Sequence, residues 1–89
     1  MMRVEFRDAE NTLTLRMEGR LVGTFAEEVR KLVARTHIPR RLVVDVSEVT
    51  FVDGVGEDVL AWLGRIGAEF VAESSYARHV CEGLQLSLA

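Results

Sequence analysis

The sequence predicts an α/β fold, a single small domain over residues 1–89 with elements in the order β-β-α-β-α-β-α. Three observations carry that prediction. Two stretches near the start alternate apolar and polar residues with the period of a half-buried strand, and the run from Leu42 to Val46 is nearly all apolar. Between and after them lie segments whose apolar residues recur at helical spacing. Because a helix separates each later strand from the next, right-handed crossovers assemble a mixed sheet of about four strands with the helices mainly on one face.

Each element follows from local chemistry. Met2 to Phe6 alternates, Asp8 to Asn11 supplies turn formers, and Leu13 to Met17 alternates again, which makes an antiparallel hairpin with one wet face. Gly19 closes the second strand. Thr24 stands where a helix N-cap belongs, Glu27 completes a capping box, and Phe25, Val29, Leu32 and Val33 form the apolar stripe of the first helix. That helix stops before Pro39, whose ring disfavours helical geometry at Ile38. Leu42 to Val46 has too few polar positions for a half-exposed strand, so it is expected in the centre of the sheet with both faces covered. Ser47 to Thr50 reads as a short connection.

After the turn from Phe51 to Glu57, a second helix carries Val59, Leu60, Trp62, Leu63 and Ile66 on or near one face, and Gly67 is its natural terminator. Glu69 to Glu73 reads as a short strand. Ser74 or Ser75 caps a third helix that runs through Val80 and ends at Gly83, and Leu84 to Leu88 is a weakly alternating tail.

Composition excludes several function classes. The net charge is −3 and the basic residues Arg30, Lys31, Arg35, Arg40 and Arg41 follow Glu27 and Glu28, a solvated helix surface and not a nucleic-acid patch. The single cysteine, Cys81, and the lack of a leader-type start or an apolar run of membrane-spanning length predict a reducing, cytoplasmic compartment and no membrane insertion. Asp45, Asp53, Glu57 and Asp58 do not form a calcium-loop pattern, and His37, His79 and Cys81 lack zinc spacing, so no metal and no cofactor is expected. No nucleophile, base and orienting acid stand in a recognisable order, and no catalytic residue is assigned.

The segment Phe51-Val-Asp-Gly-Val-Gly-Glu is the most informative in the chain. A strand, a tight turn holding an acid and two glycines, and a helix N-terminus form the place where free backbone N–H groups converge in α/β proteins. Asp53 is positioned to cap the helix beginning near Gly54, while Glu57 and Asp58 complement its positive end. Three acids there repel an anionic ligand. Gly54 and Gly56 resemble a fragment of a phosphate-binding loop but lack its third glycine and its Lys-Ser/Thr pair.

The run Leu-Arg-Met-Glu-Gly-Arg-Leu from Leu15 to Leu21, the strand from Leu42 to Ser47, the turn from Phe51 to Gly56 and the close of the last helix at Glu82, Gly83 and Leu84 resemble a STAS domain, the family named from sulfate transporters and anti-sigma factor antagonists. The likeness extends over nearly the whole chain. It implies a small αβ domain that binds other proteins, commonly an anti-sigma factor of the serine-kinase type, and is not an enzyme. Members that act as phosphorylation switches carry Asp-Ser-Ser-Gly at this turn, the first serine accepting phosphate. Here the corresponding residues are Asp53, Gly54, Val55 and Gly56. Neither Gly54 nor Val55 offers a hydroxyl, so there is no phosphoacceptor at the usual position, Gly54. Glu57 replaces the apolar residue that often follows the motif, and Val22 replaces a polar residue after the first glycine motif.

The expected partner-binding residues are Asp53, Gly54, Val55, Gly56, Glu57 and Trp62. Trp62 lies off the centre of its helix stripe, where an aromatic is either a lid on the core or an interface anchor. The expected partner is a protein, a serine-kinase-type anti-sigma factor or a subunit of a transport complex. The alternative is a regulatory domain that binds a nucleotide or lipid-derived ligand at the same turn.

Overall fold

The computed structural model describes residues 2–89. In chain order the elements are β1 (Met2–Ala9), β2 (Thr12–Leu21), α1 (Gly23–Arg35), β3 (Arg41–Val52), α2 (Gly54–Arg65), β4 (Glu69–Val71) and α3 (Ser75–Gly83). The four strands form one sheet in the order β1-β2-β3-β4. β1 and β2 pair antiparallel, whereas β2 with β3 and β3 with β4 pair parallel, each across an intervening helix. The predicted element order and mixed sheet are therefore present.

The hairpin turns on Glu10 and Asn11, both with positive φ (52° and 61°), between the paired residues Ala9 and Thr12. Two successive left-handed residues make the type I′ turn whose twist matches the flanking strands. β1 therefore runs through Asp8 and Ala9, which had been expected in the turn.

One face of the sheet is buried. Leu13, Leu15 and Met17 of β2, Leu42, Val44 and Val46 of β3 and Phe70 of β4 join Ala26, Val29 and Val33 of α1, Val59, Leu60 and Leu63 of α2, and Ala77 and Cys81 of α3 in a single core. On the opposite face Thr14, Arg16, Val43 and Asp45 remain partly or fully exposed. β3 is central, as expected, but covered on one side only, and Val43 and Asp45 of its apolar run face the open side.

β3 is also longer than its apolar run. Residues 47–50, expected as a connection, continue the strand because they pair with β2 across register shifts between Arg16 and Glu18 and between Gly19 and Arg20. Gly19, at φ 99°, sits within this irregular stretch of β2 and does not end the strand. Bulges of this kind add a residue and bend the strand without breaking the pairing.

The helix ends depart from the sequence expectation in an instructive way. α1 begins at Gly23, its N-cap Val22 makes no side-chain cap, and Thr24 lies inside the first turn, so neither Thr24 nor Glu27 performs the capping expected of them. Phe25 and Leu32, expected in its buried stripe, are exposed, because the stripe is confined to Ala26, Val29 and Val33. Ile66 is likewise exposed at the end of α2. Gly67, at φ 100°, does terminate α2: its N–H donates to Gly64 O at 3.1 Å and the Ala68 N–H to Leu63 O at 3.0 Å, the paired bonds of a Schellman motif.

Ser74 Oγ accepts the Ala77 N–H at 3.0 Å and caps α3. Gly83 remains in the helix, and the reversal is made at Gln85, at φ 57°, with Gln85 N–H donating to Glu82 O and Leu86 N–H to Cys81 O. The tail then closes the β4 edge, where Phe70 N–H donates to Ser87 O and Ala89 N–H to Phe70 O, both at 2.8 Å. Among the described residues no helix is long and apolar enough to cross a membrane.

Candidate docking surface at the ends of β2 and β3

The parallel strands β2 and β3 finish side by side, Leu21 opposite Val52, and each passes into its helix within two residues. The N-termini of α1 and α2 are thereby brought together at one end of the sheet. Asp53 joins them. Its Oδ1 accepts the Gly56 N–H at 2.8 Å, capping α2, and its Oδ2 accepts the Gly23 N–H at 3.1 Å, supplying α1 with the cap its own sequence lacks. The Asp53 backbone N–H points to Leu21 O at 3.4 Å, and its carbonyl accepts the first helical bond of α2 from Glu57 at 2.9 Å. Gly23 adopts φ +49°, which brings its N–H to the carboxylate without a side chain in the way.

Gly56 is buried where α2 crosses the end of β2. A Cβ there would collide with the Leu21 carbonyl oxygen and stand 2.8 Å from Val52 Cγ1. Gly54 is different. It is exposed and a Cβ added to it meets nothing within 4 Å. Of the four turn residues, Asp53 and Gly56 are thus committed to the fold, whereas Gly54 and Val55 are presented outward, followed by exposed Glu57 and Asp58.

Trp62 lies half-buried one face further along α2, packed at the margin of the core, with the Arg30 guanidinium of α1 5.4 Å from its ring centroid. The ring is both a lid on the core and the floor under a cation, a contact of about 0.5–1 kcal/mol when solvent-exposed. The turn and Trp62 share α2, but Val55 and Glu57 occupy its first turn and Trp62 its third.

Two features of this end were missed in the sequence. Phe51 is 44% exposed beside the turn, with the Arg20 guanidinium 5.2 Å from its ring, and Phe25 is 48% exposed in the first turn of α1. Strand alternation would place Phe51 with buried Val49. The register shift that pairs Gly19 with Val49 but Arg20 with Phe51 turns it outward instead.

The remaining candidates are dispersed. Asp45 lies on the open sheet face, where its Oδ1 accepts the Ser47 N–H at 2.9 Å. Tyr76 Oη accepts the Val52 N–H at 2.8 Å, which fixes α3 against the strand that leads into the turn. Cys81 is buried, and its thiol is pushed up by desolvation and, secondarily, by the Glu82 carboxylate. His79 is exposed on the same helix. Among the described residues, one surface hollow is lined by residues such as Ala61, Gly64, Ala68 and Leu86, and another by Glu5, Arg7, Thr14, Arg16 and Asp45. Neither is lined by the turn.

The fold has counterparts among solved structures. An anti-sigma factor antagonist from Mycobacterium paratuberculosis superposes with a TM-score of 0.78 over 96% of this chain and 79% of its own, at 21% identity. The chain has the STAS-domain fold. The anti-sigma factor antagonist SpoIIAA in its unphosphorylated form superposes with a TM-score of 0.68, at 16% identity, over 90% of this chain and 82% of its own. A STAS-domain anti-sigma factor antagonist from Rhodobacter sphaeroides gives 0.62 at 23% identity, over 78% and 82%. No family model and no curated protein matches by sequence. The STAS resemblance rests instead on the order of short motifs, and the three-dimensional likeness supports the same fold.

Proposed function

We propose that this STAS domain, spanning residues 1–89, is a non-enzymatic protein-interaction module of the anti-sigma factor antagonist kind, working in the cytoplasm. Its partner is a serine-kinase-type anti-sigma factor, with a transport-complex subunit as the other member of the same class. Docking takes place through Gly54, Val55 and Glu57, held in place by Asp53 and Gly56, with Trp62 at the margin.

The observation that carries this reading is the division of labour in the turn. Both carboxylate oxygens of Asp53 are engaged by backbone N–H groups, so the acid fixes the shape of the turn while Gly54 and Val55 stand free in solvent. A rigid, outward-facing backbone with a small side chain suits close approach by another protein. With glycine at the position where switching relatives carry serine, the surface holds one charge state, and binding is constitutive at this position instead of being turned off by a phosphate.

The test is co-purification with the partner and its loss on steric block. Gly54→Trp places a large ring into open space without disturbing the core, so the complex is expected to disappear while the fold remains. A complex retained by Gly54→Trp contradicts docking at this surface.

A further inference from the structure

β1 is the open edge of the sheet. It stands at the end of the sheet, and among the described residues no strand pairs with its outer edge. The opposite edge, β4, is three residues long and is closed by the tail at Phe70 and Leu88. β1 is eight residues long, pairs β2 with no register shift, and contains no proline. Shortness, bulges and proline, three of the devices that ordinarily blunt an edge, are absent from β1, and its charges at Arg3, Glu5 and Arg7 alternate in sign.

The backbone and side chains of this edge are sorted by parity. A two-residue hairpin loop closes on a hydrogen-bonded pair, here Ala9 and Thr12, so Arg3, Glu5 and Arg7 turn their N–H and C=O groups toward β2, whereas Met2, Val4 and Phe6 direct theirs outward. Met2, Val4 and Phe6 stand opposite Gly19, Met17 and Leu15, so their side chains share the helix-covered face. Phe6 is nevertheless 37% exposed. On α1, exposed Phe25 and Leu32 occupy the flank opposite Arg30, the residue that reaches α2, and so lie toward the β1 side of the sheet. Arg3 and Glu5 lie on the open face, with Arg3 Nη2 3.5 Å from Glu5 Oε2.

We propose that this edge is the interface of a homodimer, in which β1 pairs antiparallel with β1 of a second copy about a twofold axis at Val4. In that register Val4 faces Val4 of the second copy once, on the axis, while Met2 faces Phe6 and Arg3 faces Glu5 twice each by symmetry. Met2, Val4 and Phe6 each meet an apolar side chain on the helix side, and Arg3 and Glu5 each meet the opposite charge on the open side. Centring the axis on Glu5 instead sets Arg3 against Arg7 and Glu5 against itself. Centring it on Phe6 sets Val4 against Asp8 on the apolar side. Charge and apolar complementarity together select one register of the three, and the occupant is a second copy because the strand is complementary to itself.

Sedimentation equilibrium of the full chain tests the assignment. The unaltered protein is expected to sediment as a dimer. Arg3→Glu, at an exposed position, and Glu5→Arg, at a half-buried one, each replace two attractive cross-strand pairs by repulsive ones and are expected to weaken the dimer about tenfold or more. The double exchange, Arg3→Glu with Glu5→Arg, restores the pairing and the affinity. A monomer at every concentration, single exchanges without effect, or a double exchange as weak as the single ones each overturns the proposal. None of these results bears on docking at Gly54.

Discussion

Asp53 Oδ2 accepts the backbone N–H of Gly23 at 3.1 Å, across 30 residues of sequence. The same carboxylate caps its own helix through Gly56, so one side chain organises the starts of both α1 and α2. The end of the sheet that presents Gly54 and Val55 is therefore only as rigid as this acid makes it.

Replacing the acid separates the two caps. Asp53→Ala removes both and is expected to lower stability by about 2 kcal/mol, the sum of two ordinary N-cap contributions. Asp53→Asn keeps one acceptor oxygen and is expected to cost roughly half as much. Urea unfolding followed by circular dichroism measures both, and equal losses in the two variants would show that only one of the two bonds matters.

The two glycines of the turn are predicted to respond in opposite ways. Gly56→Ala drives a methyl group into the Leu21 carbonyl and Val52, and is expected to cost about 3 kcal/mol because the obstacle is backbone. Gly54→Ala enters open space and is expected to stay within about 0.5 kcal/mol of the unaltered protein. Thermal unfolding of both proteins distinguishes these outcomes, and a tolerated Gly56→Ala would mean that α2 slides easily over the end of β2.

These relationships mark the boundary of what the residues disclosed by themselves. The hairpin, the central strand, the α2 stripe of Val59, Leu60 and Leu63, and the Asp53 and Ser74 caps were legible because each rests on periodicity or on partners three residues apart. The start of α1 was not, because its cap comes from Asp53 and not from neighbouring Thr24. Residues 47–50 hid their strand because pairing with β2 across bulges, and not local alternation, holds them there. The need for glycine at position 56 was hidden because the backbone it clears, at Leu21, is distant in the chain.

Gln85 is a second place where local rules misled. Gly83 was the expected terminator of α3, yet Gln85 takes the left-handed conformation at φ 57°. A residue with a Cβ is strained there by about 1–2 kcal/mol, part of which glycine offsets by its larger loss of chain entropy. Gln85→Gly is expected to stabilise the protein by about 0.5–1 kcal/mol, read as a raised urea midpoint.

Cys81 sets a pH dependence with a definite sign. Burial, and secondarily Glu82, raises the folded thiol pKa, so as pH climbs the unfolded chain ionises first and binds fewer protons than the native one. Its contribution is fully present below the unfolded thiol pKa, about 8.5, and is lost as pH rises toward the folded value. The fall in urea midpoint between neutral and alkaline pH is expected to be steeper for the unaltered protein than for Cys81→Ala. Parallel pH profiles would assign the alkaline loss to other groups.

The docking surface is tested most directly by a titration of nitrogen-15-labelled protein with a serine-kinase-type anti-sigma factor, read as amide chemical-shift changes. The changes are predicted to cluster at Gly54, Val55, Glu57 and the adjoining surface of α2, and to vanish in Gly54→Trp. Saturable changes centred instead on Arg7, Arg16 and Asp45 of the open sheet face, with the turn unmoved, would contradict it.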